Sequence, residues 1–308
     1  MNTALLPLRT RVFNDWISES SRWDEFQARD GDVVICTAAK SGTTWTQMLC
    51  ALLIFQKTDL EKPLTEYSPC IDTPMAPSAE VLAQLQAQTH RRFIKTHTPL
   101  DGLPYFKQAK YICVGRDPRD LFLSLVDHTA NLRSEVLESV RKYATGDWRP
   151  PVNPPEDLLE WFCDWMSSSC SDKPGHEFYT DVLYYVRSFW QYRNLPNILM
   201  LHYNDLKTDL EGEMRRIADF LDIHIPEERW SALISAASFE SMKGNAGQLA
   251  PQISDDVWVN HEKFFNKGKT GRWKNILDDN ALNLYRQAMK SNLEPELANW
   301  LEKGRLAA

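Results

Sequence analysis

The sequence predicts one α/β domain over residues 1–308, with a mostly parallel central sheet and helices on both of its faces. Three observations predict it. Four short runs rich in β-branched and apolar residues, 33–37 (VVICT), 92–96 (RFIKT), 111–115 (YICVG) and 198–203 (ILMLHY), have the length of buried strands. Helical patterns follow three of them, and strands alternating with helices imply parallel pairing. No internal repeat and no linker divides the chain.

The elements follow in order. The first strand runs through a loop of small residues into a helix that sets Trp45, Met48, Leu49, Leu52 and Leu53 on one face. The third strand ends at Arg116, and Asp117-Pro118 starts a helix, because proline suits the first helical turn. A helix over about 206–221 follows the fourth strand. Residues 146–176 break the pattern. Their prolines limit regular structure while Trp148, Trp161, Phe162 and Trp165 seek burial, which fits either a lid over an apolar acceptor pocket or a packed surface excursion. Ligands of such sheets sit beyond the carboxyl ends of the strands, and the motifs at 40–45, 95–100 and 116–120 all fall there.

Composition narrows the class. Apolar residues make up 43% of the 308, enough for a large core, and the net charge of -7 argues against a general nucleic-acid-binding face. The six cysteines include no CxxC pair, and Cys36 and Cys113 lie inside strand-like runs, so neither a disulfide framework nor a zinc site is indicated. The N-terminus lacks the apolar stretch of a secretory signal, and the longest clean apolar run, 48–55, is too short to cross a bilayer. The expectation is a cytoplasmic protein with no stable membrane insertion.

The strongest local signal is Lys40-Ser41-Gly42-Thr43-Thr44-Trp45 between strand and helix. A glycine turn there aims backbone N–H groups at one point, and the helix N-terminus adds partial positive charge, so an anion binds. Lys40 adds a full charge, Thr43 and Thr44 add hydroxyl donors, and Trp45 offers a flat face suited to an adenine ring. The loop departs from GxxxxGK[ST], because its lysine precedes its glycine. Arg116 and Arg119 stand at the next strand end with Ser124 two turns on. An arginine fork suits a terminal phosphate, whereas Arg119 reads equally as an ion-pair partner of Asp117 or Asp120. Residues 266–274 (NKGKTGRWK) hold four cations around two glycines, as an anion clamp needs. His97 and Lys95 share side-chain parity at the end of the second strand. His97 there can take a proton from an attacking hydroxyl, while Lys95 and Lys40 neutralise charge on the transferring group. Acceptor turnover is then expected to rise with pH near neutrality, as the imidazole loses its proton. No carboxylate cage is evident, so no metal is expected. Three readings fit a loop of this kind: a group-transferring enzyme, a small-molecule kinase on a degenerate P-loop, and a nucleotide-binding regulatory protein.

Four segments, KSGTTW, KTHTPLDGLP, RDPRDLFLS and KGKTGRWK, occur in the order found in cytosolic-type sulfotransferases, and the chain resembles that family over about 30–273. RRFIKTHTPLDGL and YICVGRDPRD most resemble its bacterial glycolipid-type members. The resemblance implies the sulfotransferase fold and transfer of a sulfuryl group from 3′-phosphoadenosine 5′-phosphosulfate to a hydroxylated small-molecule or glycolipid acceptor. It implies that Lys40, Ser41, Gly42, Thr43 and Thr44 hold the 5′-phosphosulfate. Trp45, Tyr203 and Phe239 would contact adenine, and Arg116, Ser124, Lys267 and Gly268 the 3′-phosphate. His97 would be the general base, assisted by Lys95 and Lys40. Two departures stand out. Asn266 occupies the position of a usual arginine, and 274–279 (KNILDD) lacks the family's dimer motif.

Overall fold

The computed structural model describes residues 6–14, 18–133, 135–136, 157–168, 182–249, 258–265 and 268–307. All four expected strands form: β1 (Val33–Thr37), β2 (Phe93–Thr96), β3 (Lys110–Gly115) and β4 (Ile198–His202). They make one parallel sheet in the order β2-β1-β3-β4. The register sets Cys36 against Thr96 and Cys113, and Gly115 against His202, so all four carboxyl ends open on one edge.

Alternation along the strands feeds two cores. Val33 and Ile35 of β1, with Phe93, Ile112, Val114 and Leu201, face one side. There they meet α1 (Thr43–Phe55), α6 (Tyr203–Thr208), α7 (Leu210–Phe220) and α8 (Glu227–Ala237). Val34 and Cys36, with Ile94, Tyr111 and Cys113, face the other. This side carries α3 (Pro118–Thr129), α4 (Leu158–Ser168), α5 (Val182–Trp190), α10 (Asp279–Asn292) and α11 (Pro295–Lys303). A sheet covered on both faces explains why its strands read as continuous apolar runs. Cys36 and Cys113 are fully buried, and burial pushes both thiols up, as expected of small hydrophobes rather than ligands. Outside these layers, α2 (Ser78–Ala87) precedes β2, and α9 (Phe239–Gly244) follows α8.

Two local expectations are revised. The helix expected over 206–221 is two helices, because Asp209 leaves helical geometry and caps α7 through the N–H of Gly212. α1 is buried around most of its circumference, not along one stripe, since it lies under α8 and α7 against the sheet. Of residues 146–176, those described are 157–168, which hold α4. Phe162 and Trp165 are buried there, packing on Phe122 with ring centroids 5.1 and 5.4 Å away. Trp161 meets the same ring at 5.2 Å. These three aromatics pack on the main core through Phe122, and the rest of 146–176 lies outside the described residues.

Candidate active site

The carboxyl edge of the sheet opens into a cavity of about 660 Å³, within the usual range for small-molecule sites. Four strand ends supply its floor. After β1 the chain turns through Lys40, whose φ of 64° is left-handed, and Gly42, whose φ of 106° only glycine adopts readily. Gly42 is the N-cap of α1 and makes no side-chain cap bond, so the first-turn donors stay directed at the cavity. A methyl group on Gly42 would also lie 3.1 Å from the Tyr203 ring. Lys40, Gly42, Thr43 and Thr44 all line the cavity. Thr43 is tied to Thr37 by a 2.6 Å hydroxyl contact, which leaves Thr44 the freer donor. Ser41 stands apart from its neighbours in the loop. Its N–H donates to Ala38 O at 3.2 Å, and its hydroxyl is fully buried without a partner, so its side chain does not join the wall.

Arg116, closing β3, donates to the Lys40 carbonyl at 2.7 Å and so ties the loop to the sheet. Its guanidinium lies 4.3 Å over the Tyr203 ring, and its buried Nε has no partner. Among the described residues no carboxylate pairs with it. Arg119 behaves otherwise. It pairs with Asp117 at 2.8 Å and stacks 3.9 Å over Trp273, which makes it a structural ion pair. Asp120 accepts from the N–H groups of Gly271 and Arg272, so it anchors the C-terminal glycine loop to α3. That anchoring role carried no sequence signal, because it pairs residues about 150 positions apart.

Ser124 lines the same cavity as Arg116. Tyr203, Trp45, Phe239 and Gly268 form its aromatic end. Trp45 meets Tyr203 edge to face at 5.5 Å and donates its indole N–H to Ala237 O at 2.9 Å. Gly268 has φ 56°, and a methyl group there would lie 2.8 Å from Phe239, so glycine is required for this close approach. Lys267 and Asn266 lie outside the described residues.

His97 and Lys95 both reach the cavity from β2, as their parity implied. The His97 ring donates from Nδ1 to the Thr37 carbonyl at 2.7 Å, since a carbonyl only accepts. This fixes the tautomer and leaves the Nε2 lone pair free to act as a base. Burial, then the Lys95 charge, lowers its pKa to about 4, against weaker support from Thr37 and Asp72. The imidazole is therefore neutral throughout the neutral range. Burial adds to the effect of the two lysines, so in the free protein the ring loses its proton below the neutral range.

Lys40 is the second perturbed group. Burial, Arg116 and Lys95 lower it to about 7, with Asp127 opposing. Its ammonium donates to Nδ1 of His128 at 3.3 Å and lies 4.8 Å over the Phe264 ring. Burial and Lys40 push His128 well below its ordinary value, and Trp258 packs on it at 5.0 Å. The remaining wall is mixed: Leu64, Pro69, Met75 and Val81 alternate with polar side chains such as Glu66, Ser68 and Glu80. Among the described residues no group of three His, Cys, Asp or Glu side chains is placed to hold a metal ion, and no helix is long and apolar enough to cross a membrane.

A four-strand parallel sheet whose carboxyl edge gathers Lys40, Lys95, His97 and Arg116 around one cavity is an arrangement suited to group transfer. The sulfotransferase domain family model matches residues 30–297, and the chain belongs to that family and is a sulfotransferase. It is 36% identical to a glycolipid sulfotransferase of Mycobacterium bovis (strain BCG / Pasteur 1173P2), covering 97% of this chain and 96% of that protein. It is 28% identical to human sulfotransferase 2A1 over 82% of this chain and 80% of that one. Its fold matches mouse sulfotransferase SULT7A1, solved with PAP, at a TM-score of 0.68 and 20% identity, covering 92% of each chain.

Proposed function

We propose that this chain transfers a sulfuryl group from 3′-phosphoadenosine 5′-phosphosulfate to the hydroxyl of a small or lipid-like acceptor, with His97 as general base. The observation that carries this reading is His97 itself: Nδ1 is committed to Thr37, and a neutral ring leaves Nε2 free in a cavity floored by Lys40, Lys95 and Arg116. The chemistry of the cavity fits the donor. Unpartnered Nε of Arg116 awaits an acceptor, the uncapped start of α1 accepts an anion, and the Trp45–Tyr203–Phe239 end accepts a ring.

His97 Nε2 takes the acceptor's hydroxyl proton as its oxygen bonds to sulfur. Lys40 donates to the bridging oxygen as the bond from sulfur to that oxygen breaks, and Lys95 balances charge on the sulfuryl oxygens. Arg116 and Ser124 hold the 3′-phosphate, joined by Gly268 and, from outside the described residues, Lys267. A wall that mixes apolar and polar side chains suits an amphiphilic acceptor, which agrees with the glycolipid named for the mycobacterial relative. The test is to supply sulfur-labelled donor with a panel of glycolipids, sterols and phenols and follow labelled product. Labelled product with one acceptor class supports the reading. No transfer to any of them, with hydrolysis of ATP instead, overturns it.

A further inference from the structure

We infer that Asp72 is a positioning residue for His97, clamping the turn that carries the histidine so that Nε2, and not Nδ1, faces the cavity. The inference rests on reading His97 as the base. Residues 69–72 run beside β2: Lys95 N donates to Pro69 O at 3.0 Å, Ile71 N to Lys95 O at 3.4 Å, and Cys70 bridges Lys95 in parallel register. This pairing brings Asp72 level with the end of β2. Asp72 is fully buried, and among the described residues no cation pairs with it. Hydroxyls surround it instead. Oδ2 accepts from the hydroxyl of Thr96 and from that of Thr98 at 2.6 Å, with Ser18 at 3.4 Å. Oδ1 accepts from the Cys70 thiol at 3.2 Å.

Thr96 and Thr98 are the two neighbours of His97. With side chains alternating, they point away from the cavity while His97 and Lys95 point into it. One carboxylate oxygen therefore holds both flanks of the histidine. Thr98 N also donates to Thr96 Oγ1 at 3.0 Å, closing a tight turn around His97, and Ser18 braces Thr98 at 2.6 Å. A carboxylate accepts only, so both threonine hydroxyls must donate to it and their orientation is fixed. Burying an unpaired charge is costly, and a neutral side chain would hold a merely structural turn at less cost. The charge has a use here. Lys95 and Lys40 oppose protonation of His97, whereas Asp72 favours it, so the imidazolium formed during transfer has a fixed counter-charge beneath it.

The test uses the full chain with Asp72→Ala, Asp72→Asn and Thr98→Val. Three quantities are read: the His97 tautomer by long-range ¹H–¹⁵N NMR, kcat and KM with labelled donor, and the dissociation constant of adenosine 3′,5′-bisphosphate. Asp72→Ala is expected to lower kcat by about a hundredfold, the cost of a small misplacement of a catalytic group. Bisphosphate affinity should stay within about twofold, because its contacts lie on other strands, and the Nδ1–H signal of the parent should give way to mixed tautomers. Asp72→Asn keeps an oxygen for both hydroxyls and should recover about tenfold of that loss. Thr98→Val, which removes one of the two clamps, should cost about three- to tenfold with partial loss of the tautomer preference. It serves as the deciding variant if Asp72→Ala fails to fold. Parental kcat and a pure Nδ1–H tautomer in the folded variants overturn the inference. A parent that makes no sulfated product sinks the functional reading alone, and the tautomer measurement still decides the clamp.

Discussion

Binding of the donor product should take up a proton on Lys40. In the free protein burial, Arg116 and Lys95 lower this lysine to about 7, so at pH 8 roughly nine-tenths of it is neutral. Two phosphates placed within a few ångströms raise it again, because an opposite charge favours the cation. The sign follows directly. Below pH 7 Lys40 is charged in both states and contributes its full attraction. Above pH 7 the complex must recruit a proton, and affinity falls by about tenfold per unit until the bound lysine itself titrates. Phosphate protonation weakens binding below about pH 6, so affinity should peak between pH 6 and 7. His97 and His128 do not interfere above 7, since both are neutral there in the free protein. The assay is calorimetric titration of adenosine 3′,5′-bisphosphate at pH 8 in two buffers of different ionisation enthalpy. Uptake of roughly 0.9 proton is expected for the parent and close to zero for Lys40→Met. A dissociation constant flat from pH 7 to 9, or equal uptake in both proteins, refutes the argument.

Other outcomes follow from the same geometry. His97→Gln should cut turnover by about two to four orders of magnitude while bisphosphate affinity persists; a folded variant at parental rate removes the base. The kcat/KM of the parent for the donor should rise through about 6, with the donor's own phosphate, and decline above about 7, with Lys40 of the free protein; a plateau extending past pH 9 contradicts the second limb. Arg116→Met should abolish the preference for adenosine 3′,5′-bisphosphate over adenosine 5′-phosphate, a loss of about 1.5–3 kcal/mol per charged hydrogen bond, measured by calorimetry. Arg119→Met should instead lower the melting temperature with that preference intact, because Arg119 is spent on Asp117 and Trp273. Gly268→Ala should weaken nucleotide binding, since the added methyl meets Phe239 at 2.8 Å, and equal affinity would show that the loop yields.

Much of this site was readable in one dimension because its chemistry is local. A strand, its loop and the next helix are contiguous, so Lys40 through Trp45 stood out as one loop at the cavity, and the parity of Lys95 and His97 placed both on one face. Arg116 stood out from Arg119 by position, and their separate partners follow that difference. The direction of the Ser41 side chain was not legible, because motif membership does not say which way a side chain turns once its backbone is committed to Ala38. The packing partner of the aromatics in 157–168 was not legible, because a demand for burial does not name the surface that meets it. The parallel α/β class, the strand positions and the placing of Lys40, Lys95, His97 and Arg116 at the strand ends were thus determined by the sequence alone. The strand order, the Thr37 carbonyl that selects the His97 tautomer, the Asp120 anchor, the Asp72 clamp and the lowered Lys40 were decided only by the tertiary structure. Each of these depends on desolvation or on a hydrogen bond between distant segments, and both exist only once the sheet has brought its carboxyl ends to one edge.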